Sequence, residues 1–317
     1  MAVYTDLTDE ELAELLQRYD LGRALAFKGV AEGVENSNFL LETETGRYFL
    51  TIYEKRVKRE DLPFFMGVME ALGAASFPAP RPVHLKDGGF LTEVRGKACA
   101  IVSFLTGVSP FRPNPAQCRA IGTTLAAMHG ALDGFPMERK NALGPSSWPG
   151  LVTPRLEEAE KLQLGLAALV EADLKELQDW PSGLPEGAIH ADLFPDNALF
   201  LGDEVTGVID FYFACTDARA YDIAVCLNAW CFEGREYNLT KGRALIGAYE
   251  RARPLSAAER EAIPLLARGA AMRFFATRLW DWAATPAGAL VRPKDPREYA
   301  DKLAFHRRAT RASDYGA

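Results

Sequence analysis

The stretch Ala188-Ile189-His190-Ala191-Asp192-Leu193-Phe194-Pro195-Asp196-Asn197-Ala198-Leu199-Phe200, followed by Val208-Ile209-Asp210-Phe211, governs how the rest of the chain reads. Stripped to its polar groups it is His-x-Asp, then an Asn, then a second Asp closing an apolar run. Asp192 falls in a loop between apolar pairs, where a carboxylate can reach an alcohol. Asn197 and Asp210 offer an amide and a carboxylate oxygen. Both suit Mg²⁺, which keeps most of its waters and takes only one or two protein oxygens. Phosphoryl transfer needs such a set: metal to neutralise nucleotide phosphates, and one carboxylate to orient the attacking hydroxyl and accept its proton. His190 reads as structural, holding the loop by hydrogen bonds. A lone His-x-Asp also fits a buried hydrogen-bonded pair, and an Asp-Asn loop fits ordinary turn chemistry. The second Asp after a strand, and a sheet-rich first lobe carrying a Gly loop, favour the catalytic reading.

Working outward, the chain has 317 residues, 48% hydrophobic and 25% charged, which excludes disorder as the main state. It is longer than one hydrophobic core usually serves, so two lobes are expected. Lys+Arg 36 against Asp+Glu 43 gives −7, the wrong sign for a protein that neutralises a nucleic-acid backbone. The N-terminal residues lack a basic and apolar signal pattern, and no long apolar window exists, so neither secretion nor a membrane span is expected. Five cysteines without a C-x-x-C pair argue against disulfides and a thiolate zinc site, and for reduced thiols in the cytoplasm. The expected quaternary state is a monomer or weak homo-oligomer.

The architecture predicted is α+β. Thr8 and Glu11 have capping-box spacing ahead of a stripe of Leu12, Leu15, Leu16 and Tyr19. Strand-like runs follow around 25–27, 38–43 and 47–53, with a Gly loop at 28–33. Residues 58–72 return to helical period, 77–82 are a Pro-rich connector, and 89–94 and 97–104 read as strands. A linker rich in Gly and Pro then marks the boundary between residues 1–105, a sheet-rich lobe covering the nucleotide, and 106–317, a helical lobe carrying the catalytic loop and substrate site. Helices are expected over 116–132, 155–180, 222–231, 240–251 and 256–282, with one hairpin-like insert near 187–213. Gly29 and Gly33, with Ser37 and Asn38, could bring backbone N–H groups to phosphates, or could form a hairpin turn needing positive φ. Ser103 and Leu105, where the last strand meets the linker, complete the candidate nucleotide-binding set.

This layout resembles the aminoglycoside-phosphotransferase/choline-kinase superfamily, which shares the bilobal protein-kinase-like fold. The likeness spans nearly the whole chain and rests on Ile121-Gly122…Leu125…Met128-His129, on Ile189-His190-Ala191-Asp192…Asn197, and on Tyr221-Asp222-Ile223-Ala224. Longer runs, Ile209 to Asp217, Cys226 to Glu233, Leu279-Trp280-Asp281-Trp282 and Gly288-Ala289-Leu290-Val291, are similar to its homoserine kinase branch. The resemblance implies ATP-dependent phosphorylation of L-homoserine in threonine biosynthesis. Asp192 would be the base, Asn197 and Asp210 the Mg²⁺ ligands, and Asp222 a structural aspartate at a helix start; the base and the two oxygen ligands match the protein-kinase template. One departure stands out. Superfamily members usually place Lys or Arg in the third strand against the α/β-phosphates, and here that position is Thr51. Lys28 or Lys55 could substitute, or backbone and metal could suffice.

A free amino acid also needs an anion for its ammonium and a cation for its carboxylate. Asp217, Glu233 and Asp281 could serve the first need, Arg273 and Arg278 the second, with Trp230 among the pocket aromatics. A quaternary ammonium in an aromatic cage, with Trp230, Trp280 and Trp282, is the rival reading. Another amino alcohol, methylthioribose, an aminoglycoside, or a catalytically silent binding module are further alternatives.

Overall fold

The computed structural model describes residues 5–30, 36–54, 57–285 and 293–317. Gly33, Lys55 and the run 288–291 lie outside the described residues, so the expectations placed on them are not addressed.

α1 (Asp9–Leu16) starts on the expected capping box, with Thr8 and Glu11 bonding each other's backbone N–H. β1 (Ala24–Val30), β2 (Ser37–Thr43), β3 (Gly46–Ile52), β4 (Thr92–Val94) and β5 (Lys97–Ser103) form one antiparallel sheet in the order β1-β2-β3-β5-β4. Between β3 and β4 runs α2 (Leu62–Ala74). The sheet works by two-residue alternation. From β5, Cys99 and Ile101 join Phe39, Leu41, Leu50 and Ile52 under α1. From the same strand, Ala98, Ala100 and Val102 face the other way, into the core that α2 shares with the rest of the molecule. Thr51 pairs in register with Ala100 and Asn38, so it lies on this second face.

The helical part comprises α3 (Pro115–Ala131), α4 (Trp148–Val152), α5 (Leu156–Leu162), α6 (Leu166–Glu176), α7 (Arg219–Trp230), α8 (Leu239–Ala252), α9 (Ala257–Ala284) and α10 (Arg297–His306). Small strands interrupt it: β6 (Glu186–Ile189) pairs with β9 (Cys215–Ala218), β7 (Ala198–Leu201) with β8 (Glu204–Val208), and β10 (Phe232–Glu233) with β11 (Glu236–Tyr237). α3 and α8 approach so closely that a Cβ on Gly122 would lie 2.1 Å from the Leu245 carbonyl oxygen. Among the described residues no helix is long and apolar enough to cross a membrane. The five cysteines are free and buried.

Four expectations need correction. The helix expected over 155–180 is two helices, because Gly165 takes φ +81° and breaks the run. The helix expected from 58 begins at Leu62, after a 3₁₀ turn and just ahead of Pro63, a residue that suits a first turn. Only Thr92–Val94 of the run 89–94 is strand. The single insert near 187–213 is a pair of two-stranded sheets, one nested inside the other.

Candidate active site

β6 ends at Ile189, and the chain then turns through His190 and Ala191, the latter at φ +61°. A residue with a Cβ seldom adopts that region, and the surroundings hold it there. The Asp222 carboxylate, at the start of α7, accepts the N–H of His190 at 2.9 Å and of Ala191 at 2.8 Å. His129 of α3 bonds the same carboxylate through Nε2 at 3.1 Å, while its Nδ1 meets Tyr249 of α8 at 2.8 Å. Burial alone would raise the Asp222 pKa, but the His129 bond, its charge and those backbone donors win and hold it below the usual range. Asp222 thus ties the entrance of the 190–192 loop to α3 and α7.

His190 closes the loop from the other side. Its Nε2 donates to the Ile209 carbonyl at 3.0 Å and its Nδ1 accepts the Asp192 N–H at 3.2 Å. Those bonds fix one neutral tautomer, and burial lowers the pKa further from protonation. Asn197 adds a second tie: Nδ2 donates to the Asp192 carbonyl at 2.8 Å and to Asp192 Oδ2 at 3.2 Å. The Ile209 N–H in turn bonds the Asn197 carbonyl at 3.0 Å. The catalytic loop and the strand end bearing Asp210 are thus stitched together on both sides. Asp210 itself sits at φ +65°, opening the 3₁₀ turn Phe211–Phe213.

Asp192 lies at the floor of a cleft of about 700 Å³ between the sheet-bearing part and the helices. Its side chain is 18% exposed. Burial pushes its pKa up to about 7; Arg273 opposes the rise, and the Asp210 and Asp196 charges add to it. Arg139 clamps the two halves beside the cleft, donating to Asp61 ahead of α2 at 2.7 Å and to the Ala214 carbonyl at 3.0 Å. Tyr53 and Tyr212 hydroxyls make a second link at 3.2 Å. A larger cavity, about 830 Å³ between α1 and β1, holds none of these groups.

The remaining candidates divide. Asp281 lines the cleft, and Asp217 supports it indirectly, accepting from Asn141 Nδ2 at 2.8 Å, with its pKa raised by burial. Trp230 does not line the cleft that holds Asp192: it is 1% exposed and its Nε1 donates to the Leu193 carbonyl at 2.8 Å, bracing the loop that carries Asp192. Arg278 is taken by Glu298 at 2.6 Å and lies over Tyr299, so it ties α9 to α10 instead of lining the cleft. Arg273 does reach the site, but its guanidinium faces Asp192, 3.5 Å from Oδ1.

On the sheet, Gly29 pairs with Phe39 inside the β1–β2 ladder and is not a turn residue. Asn38 accepts from the Thr51 hydroxyl at 2.9 Å on the face away from α1. Lys28, paired with Leu40, shares that face and is exposed. The Ser37 side chain is fully buried, its hydroxyl donating to Glu54 at 2.7 Å and accepting the Thr5 N–H at 3.0 Å. Ser103 exchanges bonds with Arg81, and Leu105 packs beside Gly207. Arg139 and Lys140, both lining the cleft, were missed because their stretch carries no periodic or motif signal. His129 stood in a quoted motif, yet its partnership with Asp222 is visible only in three dimensions.

The model of the phosphotransferase enzyme family matches residues 26–255. The chain is 59% identical to the homoserine kinase of Phenylobacterium zucineum (strain HLK1), over 100% of this chain and 99% of that one. It is 56% identical to the homoserine kinase of Hyphomonas neptunium, over 100% of both. The chain belongs to the phosphotransferase enzyme family, among its homoserine kinases. Solved structures of similar fold include the amicoumacin kinase hAmiN in complex with AMP-PNP, Ca²⁺ and Ami, with TM-score 0.68, 17% identity and 94% and 91% of the two chains covered. A microcompartment-associated aminopropanol kinase has TM-score 0.65 at 18% identity, with 98% and 99% covered. These distant likenesses bear on the fold, which is the kinase-like α+β arrangement expected.

Proposed function

We propose that the protein transfers the γ-phosphoryl group of ATP to the side-chain hydroxyl of L-homoserine, giving ADP and O-phospho-L-homoserine for threonine biosynthesis in the cytoplasm. The observation that carries the reading is the locked loop: Asp192 opens onto the cleft while Asn197 and Asp210 are stitched beside it. Asp192 orients the acceptor hydroxyl and takes its proton as the oxygen attacks the γ-phosphorus and the bond to ADP breaks.

The donor set fits Mg²⁺. Asn197 spends Nδ2 on Asp192, which turns its role toward a cation onto Oδ1, and Asp210 supplies a carboxylate. Two hard oxygens are what Mg²⁺ takes from protein when phosphates and water complete its shell. Bound there, the ion neutralises charge on the transferring phosphates. In this reading residues 1–105 cover the nucleotide and 106–317 carry the acceptor. Asn38, Ser103 and Leu105 border the nucleotide, with Lys28 as the sheet cation nearest in register to Thr51. In the cleft, Lys140 would meet the amino-acid carboxylate and Asp281 its ammonium, while Arg139 stays on Asp61 and the Ala214 carbonyl. The working protein is a monomer or weak homo-oligomer acting on small molecules, with neither nucleic acid nor membrane as partner.

Turnover of Mg·ATP with homoserine, choline, kanamycin and aminopropanol tests this. Homoserine should be preferred. Turnover of choline or kanamycin without homoserine would discard the acceptor and leave the phosphotransfer chemistry standing.

A further inference from the structure

Arg273 comes from α9, far along the chain from the loop it touches. Its side chain is 3% exposed. Nη1 donates to the Ala191 carbonyl, the residue held at positive φ, and Nη2 faces Asp192 Oδ1 at 3.5 Å. The guanidinium carbon lies 4.4 Å from the centre of the Phe274 ring and 5.2 Å from that of Phe213. A guanidinium that grips a substrate carboxylate presents its two-nitrogen fork to that carboxylate. Here Nη1 donates to the loop backbone and Nη2 faces the loop's carboxylate, while the buried Nε has no hydrogen-bond partner. Asn197 holds the other oxygen of Asp192, so the carboxylate is fixed at both ends.

The geometry points to Arg273 as a positioning residue for Asp192, one that sets the direction of the proton acceptor without touching the acceptor substrate. This rests on the reading of Asp192 as the base. Misplacing a catalytic group by about 1 Å costs about 10²-fold in rate, so orientation alone is worth a large effect. Lysine could satisfy one of the two contacts but not both in the plane that arginine provides.

The test compares R273M, R273K and D192N with the parent enzyme in steady-state kinetics, after circular dichroism and thermal melts establish folding. Homoserine and aminopropanol, its decarboxylated counterpart, serve as acceptors. R273M is expected to lower kcat by about 10²-fold. KM for homoserine and for ATP should hold, R273K should regain part of the loss, and any turnover of aminopropanol should fall in parallel. If R273M does not fold, R273K alone should show a lower kcat at unchanged KM. A rise in homoserine KM exceeding the fall in kcat, and absent with aminopropanol, would make Arg273 a carboxylate ligand and overturn the proposal. Unchanged kcat in R273M beside an inactive D192N would overturn it too. Full turnover by D192N would instead remove the base assignment underneath, and the role of Arg273 with it.

Discussion

Asp222 and His129 meet in a bond of 3.1 Å between two fully buried side chains, and the same carboxylate oxygen also takes the His190 N–H. The approach to the catalytic loop is thus anchored by an ion that solvent never reaches. Removing one partner of a buried charged network leaves the others unpaired and typically costs 3–5 kcal/mol, so Asp222→Ala should cost about that much. Urea unfolding measures the loss. Any folded fraction should turn over more slowly, because Ala191 loses a contact that keeps it left-handed. Parent-like stability would show that the loop holds itself.

Asp192→Asn keeps the shape of the side chain and removes the proposed proton acceptor. It should lower kcat by about 10²–10⁴-fold while ATP binding, followed by calorimetry, stays near that of the parent. Asp210→Ala should do the reverse, weakening nucleotide binding in Mg²⁺ far more than without it. Equal binding by the parent and this variant across a Mg²⁺ titration would exclude Asp210 as a ligand.

Gly122→Ala places a Cβ 2.1 Å from the Leu245 carbonyl oxygen, a backbone atom that cannot swing aside. α3 and α8 must then separate, and overpacking of this kind costs about 1–3 kcal/mol. The melting temperature should fall, with kcat of the remaining folded enzyme largely kept. An unaltered melt would mean the helices yield at no cost.

His306 is buried between Tyr315 hydroxyl at 2.8 Å and Asn228 Oδ1 at 2.9 Å. Burial, with Lys302 and Arg268 nearby, pushes its pKa from 6.5 down to about 3. The unfolded chain therefore binds a proton in that window that the folded chain refuses. Its contribution is intact above pH 6.5 and is lost as pH falls toward 3, with a slope of about 1.4 kcal/mol per pH unit for one proton. Stability measured against pH should show this loss, and His306→Gln should flatten it. A slope unchanged in that variant would assign the acid sensitivity elsewhere.

Sequence reasoning reached the parts of this molecule that are local. The capping box at Thr8, the alternation in 97–104 and the His-x-Asp…Asn…Asp spacing each lie within one window of chain, where periodicity and turn chemistry operate. The break at Gly165 stayed hidden because a glycine inside a helical pattern is tolerated as often as not. Trp230 and Arg278 looked like substrate groups because an aromatic or a cation on a helix does not declare which neighbour it meets. One braces Leu193 and the other pairs with Glu298, and both partners lie far away in sequence. Arg273 was noticed for its charge, yet its two contacts belong to a loop it meets only after folding.

β5 is a party wall: its odd-numbered residues lean into one oily room and its even-numbered ones into another. α2 lives in the second room, although it is threaded before the linker. The boundary in the chain near residue 105 is consequently not a boundary in the masonry. Severed there, each half would keep a torn apolar side that water cannot dress, and the pieces would need each other to stay in solution.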